Sequence, residues 1–61
     1  MFIEIITKKN DKIFINVNSI SYVTPRNSGV TLILNDGDFW DLNESYESIT
    51  SRINVLLNIN K

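Results

Sequence analysis

The 61-residue chain has no cysteine, no histidine, one proline, one tryptophan and two glycines. Without cysteine there is no disulfide and no thiolate chemistry. Cysteine and histidine supply most ligands for zinc and the transition metals, so their joint absence excludes a structural zinc. Charge of either sign is sparse: six Lys plus Arg stand against seven Asp plus Glu, for a net charge of −1. That balance, with a pI near 5.0, weighs against the broad basic footprint of a nucleic-acid binder. No apolar run approaches the roughly 20 residues of a membrane span. The N-terminal MFIEIITKK has no basic region followed by an apolar one and no cleavage site, which predicts no signal peptide. Absence of cysteine also fits a reducing compartment, and the expectation is a cytoplasmic protein without a cofactor.

Signs of catalysis are equally scarce. There is no G-x-S-x-G, no P-loop and no dinucleotide fingerprint. Serine and threonine nucleophiles need an activating base, and none is evident. A chain this short has little room for a water-excluding pocket. The expectation is a protein that is not an enzyme.

What is present is an ordinary folded composition, 43% hydrophobic, in a length that allows one domain spanning residues 1–61. A domain of about 60 residues buries only about 60% of the surface that its unfolded chain exposes. Such domains usually add disulfides, a metal or a partner subunit. With the first two excluded, self-association remains.

The chain centres on Val30–Leu42, VTLILNDGDFWDL, which reads as a hairpin around Asp36-Gly37, a strong two-residue turn signal. Five strands are predicted, at residues 2–7, 12–17, 20–24, 30–35 and 38–42. Ile13, Ile15 and Val17 alternate onto one face, and Phe14 points to the other. Lys8–Asp11 forms a polar turn. Pro25–Gly29, dense in turn formers, is predicted to be a loop, with Pro25 ending the third strand. A helix over 44–57 follows, capped by Asn43 or Ser45, with Glu44 and Glu47 in its first turn. Its apolar stripe is Tyr46, Ile49, Ile53, Leu56 and Leu57. Residues 58–61 read as a frayed end. The fold class is α+β: a four- to five-stranded, mostly antiparallel meander sheet or SH3-like barrel, followed by one C-terminal helix.

Three groups of residues are candidates for function. One short helix covers a single sheet face, so the other face needs a partner; Phe14, Val23, Ile33 and Trp40 form the expected oligomer or partner face. Lys8, Lys9 and Lys12, with Arg26, form a candidate anion-contact group, with Tyr22 or Trp40 placed to stack on a base. The plainer reading of these lysines is a solvated turn and protection of an edge strand. The third group, Asp36, Asp38, Asp41, Glu44 and Glu47, lacks the spacing of a calcium loop. It is better explained by a hairpin tip and a helix N-terminus, both of which favour acidic residues.

The order of motifs resembles the small flagellar and swarming-motility proteins of the FlbD/SwrD type, and small prophage-encoded β proteins of similar layout. The resemblance rests on Ile15-Asn16-Val17-Asn18 followed by Ile20, on Val30-Thr31-Leu32-Ile33-Leu34-Asn35-Asp36-Gly37, and on Glu44-Ser45 with Glu47 and Ile49. It implies a non-enzymatic protein acting through other proteins, and it supplies no catalytic residues. The leading expectation is therefore a homo-oligomer that binds another protein as an adaptor, regulator or inhibitor. The first alternative is an oligomeric binder of a nucleotide-like small ligand. The second is a regulator that binds RNA or single-stranded DNA.

Overall fold

The computed structural model describes residues 1–59. Five antiparallel strands form two sheets, and one C-terminal helix packs onto them, giving a small α+β fold. Strands β1 (Phe2–Ile6) and β2 (Lys12–Asn16) form the two-stranded sheet. Strands β3 (Ile20–Arg26), β4 (Gly29–Leu34) and β5 (Phe39–Leu42) form the three-stranded sheet, with β4 central. A 3₁₀ turn at Val17–Ser19 separates β2 from β3, and the Asn16 side chain caps it by accepting the Asn18 N–H. Among the described residues the two sheets meet at a single bridge, Thr7 to Leu42, beside a hydrogen bond from Lys8 N to the Asp41 carbonyl of 2.9 Å. The strands thus pair as two sheets rather than as one continuous barrel ladder.

Two of the three hairpins share one turn design. In the first, Thr7 N donates to the Asp11 carbonyl and Asn10 N donates back to the Thr7 carbonyl. In the β4–β5 hairpin, Leu34 N donates to the Asp38 carbonyl and Gly37 N to the Leu34 carbonyl. Each loop therefore holds three residues, the last with positive φ: Asn10 at 69° and Gly37 at 95°. This is a turn closed by a left-handed residue, the common three-residue hairpin connection. Asn and Gly are the residues that enter this region at least cost.

The expected Asp36-Gly37 two-residue turn is thus one residue longer, Asn35–Gly37. That single residue sets the register. Leu32 lies opposite Trp40, and Ile33 opposite Phe39. A one-residue slip exchanges the faces of a whole strand, so Trp40 falls on the Leu32 side, which is the core side.

A second irregularity lies in β3. Ile20 pairs with Leu34, but Tyr22 pairs with Ile33, so Ser21 is an extra residue in a β-bulge. Beyond it the alternation inverts: Val23, opposite Leu32, faces the core, and Tyr22 turns outward. Pro25 does not end β3, which runs on through Arg26 to a two-residue turn at Asn27-Ser28. β3 is an edge strand, where a missing N–H is tolerated.

The core consists of Ile3, Ile5, Val17, Val30, Leu32, Leu42 and Ile49. Ile13, Ile15, Ile20, Val23, Leu34, Trp40, Ile53 and Leu56 pack against it. Gly29 marks the tightest backbone approach. Its φ is 138°, and a Cβ there would lie 1.9 Å from the Leu42 carbonyl oxygen.

Helix α1 spans Tyr46–Ile59. Ser45 is its N-cap: its hydroxyl accepts the Ser48 N–H at 3.1 Å. Ile49, Ile53 and Leu56 carry the inward stripe, whereas Tyr46 and Leu57, expected on it, are exposed. Arg52 ties α1 to its surroundings through Glu44 at 2.6 Å and through the Glu4 carbonyl. Of the expected frayed end, 58–61, the helix includes Asn58 and Ile59; residues 60 and 61 lie outside the described residues. Among the described residues no helix is long and apolar enough to cross a membrane.

Candidate functional site

The register of the two sheets separates the four residues expected to share a contact face. Val23 and Trp40 pack against the core. Phe14 and Ile33 lie on outward faces, but of different sheets. The cause is local in each case: the Ser21 bulge turns Val23 inward, and the three-residue turn does the same to Trp40. Trp40 Nε1 is buried without a hydrogen-bond partner among the described residues, a placement that carries a desolvation penalty.

Phe14 dominates the outward face of the β1–β2 sheet. It is 68% exposed, although it stacks on Phe2 with ring centroids 5.1 Å apart and planes inclined by 17°. Phe2 sits on β1 opposite Asn16, so the two rings meet diagonally across the pair. Ile6, also exposed, continues this face opposite Lys12. Phe14 is the middle residue of β2, and β2 pairs only on its β1 side. Among the described residues no strand pairs with its other edge, which is open.

The outward face of the three-stranded sheet is built in rows across the strands. Tyr22, Ile33 and Phe39 form one row, and Thr24, Thr31 and Asp41 the next; Arg26 follows beside Gly29. Tyr22 is 58% and Phe39 60% exposed. Arg26 Nε donates to the Thr31 hydroxyl at 2.9 Å, and that hydroxyl donates to Asp41 Oδ1 at 2.7 Å. A shallow cleft of about 520 Å³ runs along these residues.

The four candidate anion contacts divide. Lys8 reaches across to the β3–β4 turn, where its Nζ donates to Ser28 Oγ at 3.1 Å. It shares a second cleft with Arg26 and Asp41. Lys9 joins Lys8, Phe39 and Asp41 around a third, of about 310 Å³. Lys12 stands apart on β2.

The acidic residues act locally. Asp36 Oδ1 accepts the Asp38 N–H within its turn, and Glu44 holds Ser48 and Arg52. Among the described residues no group of three or more carboxylates is gathered to hold a metal ion. The residues that sequence reasoning passed over are Phe2 and Thr31. Phe39 is legible as the residue that takes Trp40's place on the outer face once Trp40 packs inward, because Asn35-Asp36-Gly37 fits a three-residue turn as well as a two-residue one. No family model, curated protein or solved structure matches the chain.

Proposed function

We propose that the chain is a small, non-catalytic module that associates with a second copy of itself and works through protein contacts in a cytoplasmic setting. The observation that carries this reading is the open edge of β2 with Phe14 at its centre. Unpaired edges invite pairing, and proteins blunt them with bulges, proline or covering elements. β3 has a bulge and Pro25, and α1 packs beside it. β1 meets β5 at Thr7. β2 has neither bulge nor proline, and Lys12 at its start is its one charged residue.

An antiparallel pairing of β2 with its copy, two-fold about Phe14, sets Ile13 against the partner's Ile15. The two-stranded sheets then merge into one of four strands. The stacked Phe2–Phe14 pairs of both copies meet on its outer face, where aromatic pairs across strands are favourable. The non-catalytic part is supported by Thr31, whose hydroxyl donates to the Asp41 carboxylate. It is only 5% exposed, and it is already engaged by Arg26 and Asp41. The resemblance to FlbD/SwrD-type proteins points the same way, towards action through other proteins.

Single-cysteine trapping tests the pairing directly, because the chain has no other cysteine. Residues opposite one another in an antiparallel pair have Cα atoms about 4.5–5.5 Å apart, within reach of a disulfide. Phe14→Cys is expected to form a covalent dimer under mild oxidation, and Tyr22→Cys, at a position also more than half exposed, is expected to stay monomeric. Equal trapping of both, or of neither, contradicts the β2 pairing.

A further inference from the structure

The outward face of the three-stranded sheet combines features that a protein contact through β2 does not use. Arg26 is oriented by its Nε bond to Thr31, and Thr31 is fixed in turn by Asp41. Among the described residues no carboxylate lies within ion-pair distance of Arg26, and its two Nη groups make no hydrogen bond. A guanidinium held by a neutral hydroxyl keeps its charge and its forward donors available, an arrangement suited to phosphate. Lys8 and Lys9 stand around the same Asp41. Near this end of the face Arg26, Lys8 and Lys9 thus line clefts that share Asp41, with Asp11 beside the two lysines. The remaining acidic turn residues, Asp36 and Asp38, lie beyond Phe39 at the far end.

Beside this charge the sheet carries two exposed rings. Tyr22 and Phe39 occupy the two strands flanking β4, with Ile33 between them. Neighbouring strands are about 4.8 Å apart, so the ring-bearing positions are roughly 10 Å apart. That exceeds the spacing of about 4.5–7 Å for a stacked pair, and each ring, more than half exposed, is a separate platform. An apolar partner would satisfy the rings and leave Arg26 unpaired. An inorganic anion would satisfy Arg26 and leave the rings exposed. A nucleotide unit carries both a planar base and a phosphate.

We propose that this face binds nucleotide units, phosphate on Arg26 and base on Tyr22 or Phe39. Two platforms suit successive units of a single strand, and the same chemistry admits a free mononucleotide. Stacking of bases on aromatic side chains is tolerant of sequence, and the small charge of the patch sets a modest salt dependence. The site is independent of the β2 edge.

The test is fluorescence anisotropy of a labelled oligoadenylate strand with the full chain at low salt, using adenosine monophosphate as competitor. Saturable binding is expected. Arg26→Gln should weaken it about tenfold and lower the salt slope by about one. Tyr22→Ala and Phe39→Ala should each weaken it by a similar factor, and Phe14→Asp should leave it unchanged. Displacement by the mononucleotide identifies the single unit as sufficient; binding of the strand alone identifies successive units as the ligand. Absence of saturable binding of either probe overturns the proposal. So does binding that Arg26→Gln and Tyr22→Ala leave intact. Amide shifts of the wild-type chain guard against misfolded variants: they must move in β3, β4 and β5 on titration, and movement confined to other elements also overturns it.

Discussion

The tightest constraint on any single residue is at Gly29. Its backbone lies in a region that side chains rarely enter, and the Leu42 carbonyl occupies the space of a Cβ. Gly37 also has positive φ, but nothing lies within 4 Å of a Cβ there. The two glycines therefore separate strain from collision. Gly37→Ala is expected to lower stability by about 1 kcal/mol, from conformation alone. Gly29→Ala should cost at least about 3 kcal/mol, because β4 must also move away from β5. Urea unfolding followed by circular dichroism measures both, and equal losses would contradict the close approach. In the sequence Gly29 looked like the last residue of a loop. A steric demand made by Leu42, thirteen residues on, leaves no local mark.

At the scale of elements, one residue of turn length decides what Trp40 does. The Asn35–Gly37 loop puts Trp40 opposite Leu32 and against the core, with Phe39 outside. Trp40→Ala should therefore damage the fold and not an interface. A loss of about 3 kcal/mol is expected in denaturant unfolding, the low end for removing a large aromatic because the ring is only partly buried. Self-association should persist at concentrations where the variant is folded. A Trp40→Ala protein of normal stability would overturn the register. The elements themselves were legible, because alternation, β-branched residues and the Asn-Asp-Gly turn mark them locally. Ser45 was one of two readable caps. The contact face was not legible, because it depends on register. Asn-Asp-Gly fits turns of two or three residues, and Ile20-Ser21-Tyr22-Val23 carries no signal of a bulge. Each error moved side chains to the wrong side: Trp40 in one case, Tyr22 and Val23 in the other. Pro25, read as a stop, is compatible with an edge strand, and the edge status of β3 is a property of the assembled sheet.

At the scale of the whole molecule, seven buried apolar side chains among the described residues make a small core, and Phe2, Phe14, Tyr22 and Phe39 remain at least half exposed. The exposed rings fall on two sheets with different chemistry. Phe14, stacked on Phe2 of the neighbouring strand, lies on an open edge strand with little charge, which suits a second copy. Tyr22 and Phe39 flank an oriented arginine, which suits an anion with a planar ring. The acid–base balance of the sequence spoke against a broad basic surface, and the structure keeps that balance while gathering Lys8, Lys9 and Arg26 near one end of one face. Self-association through β2 is the central claim. Its most direct test is the mass of the wild-type chain in solution, by light scattering across a dilution series in the micromolar range. The claim predicts a mass that rises with concentration from 7.0 kDa to twice that value, and that stays at the monomer value for Phe14→Asp. A wild-type mass fixed at 7.0 kDa throughout the series would contradict it.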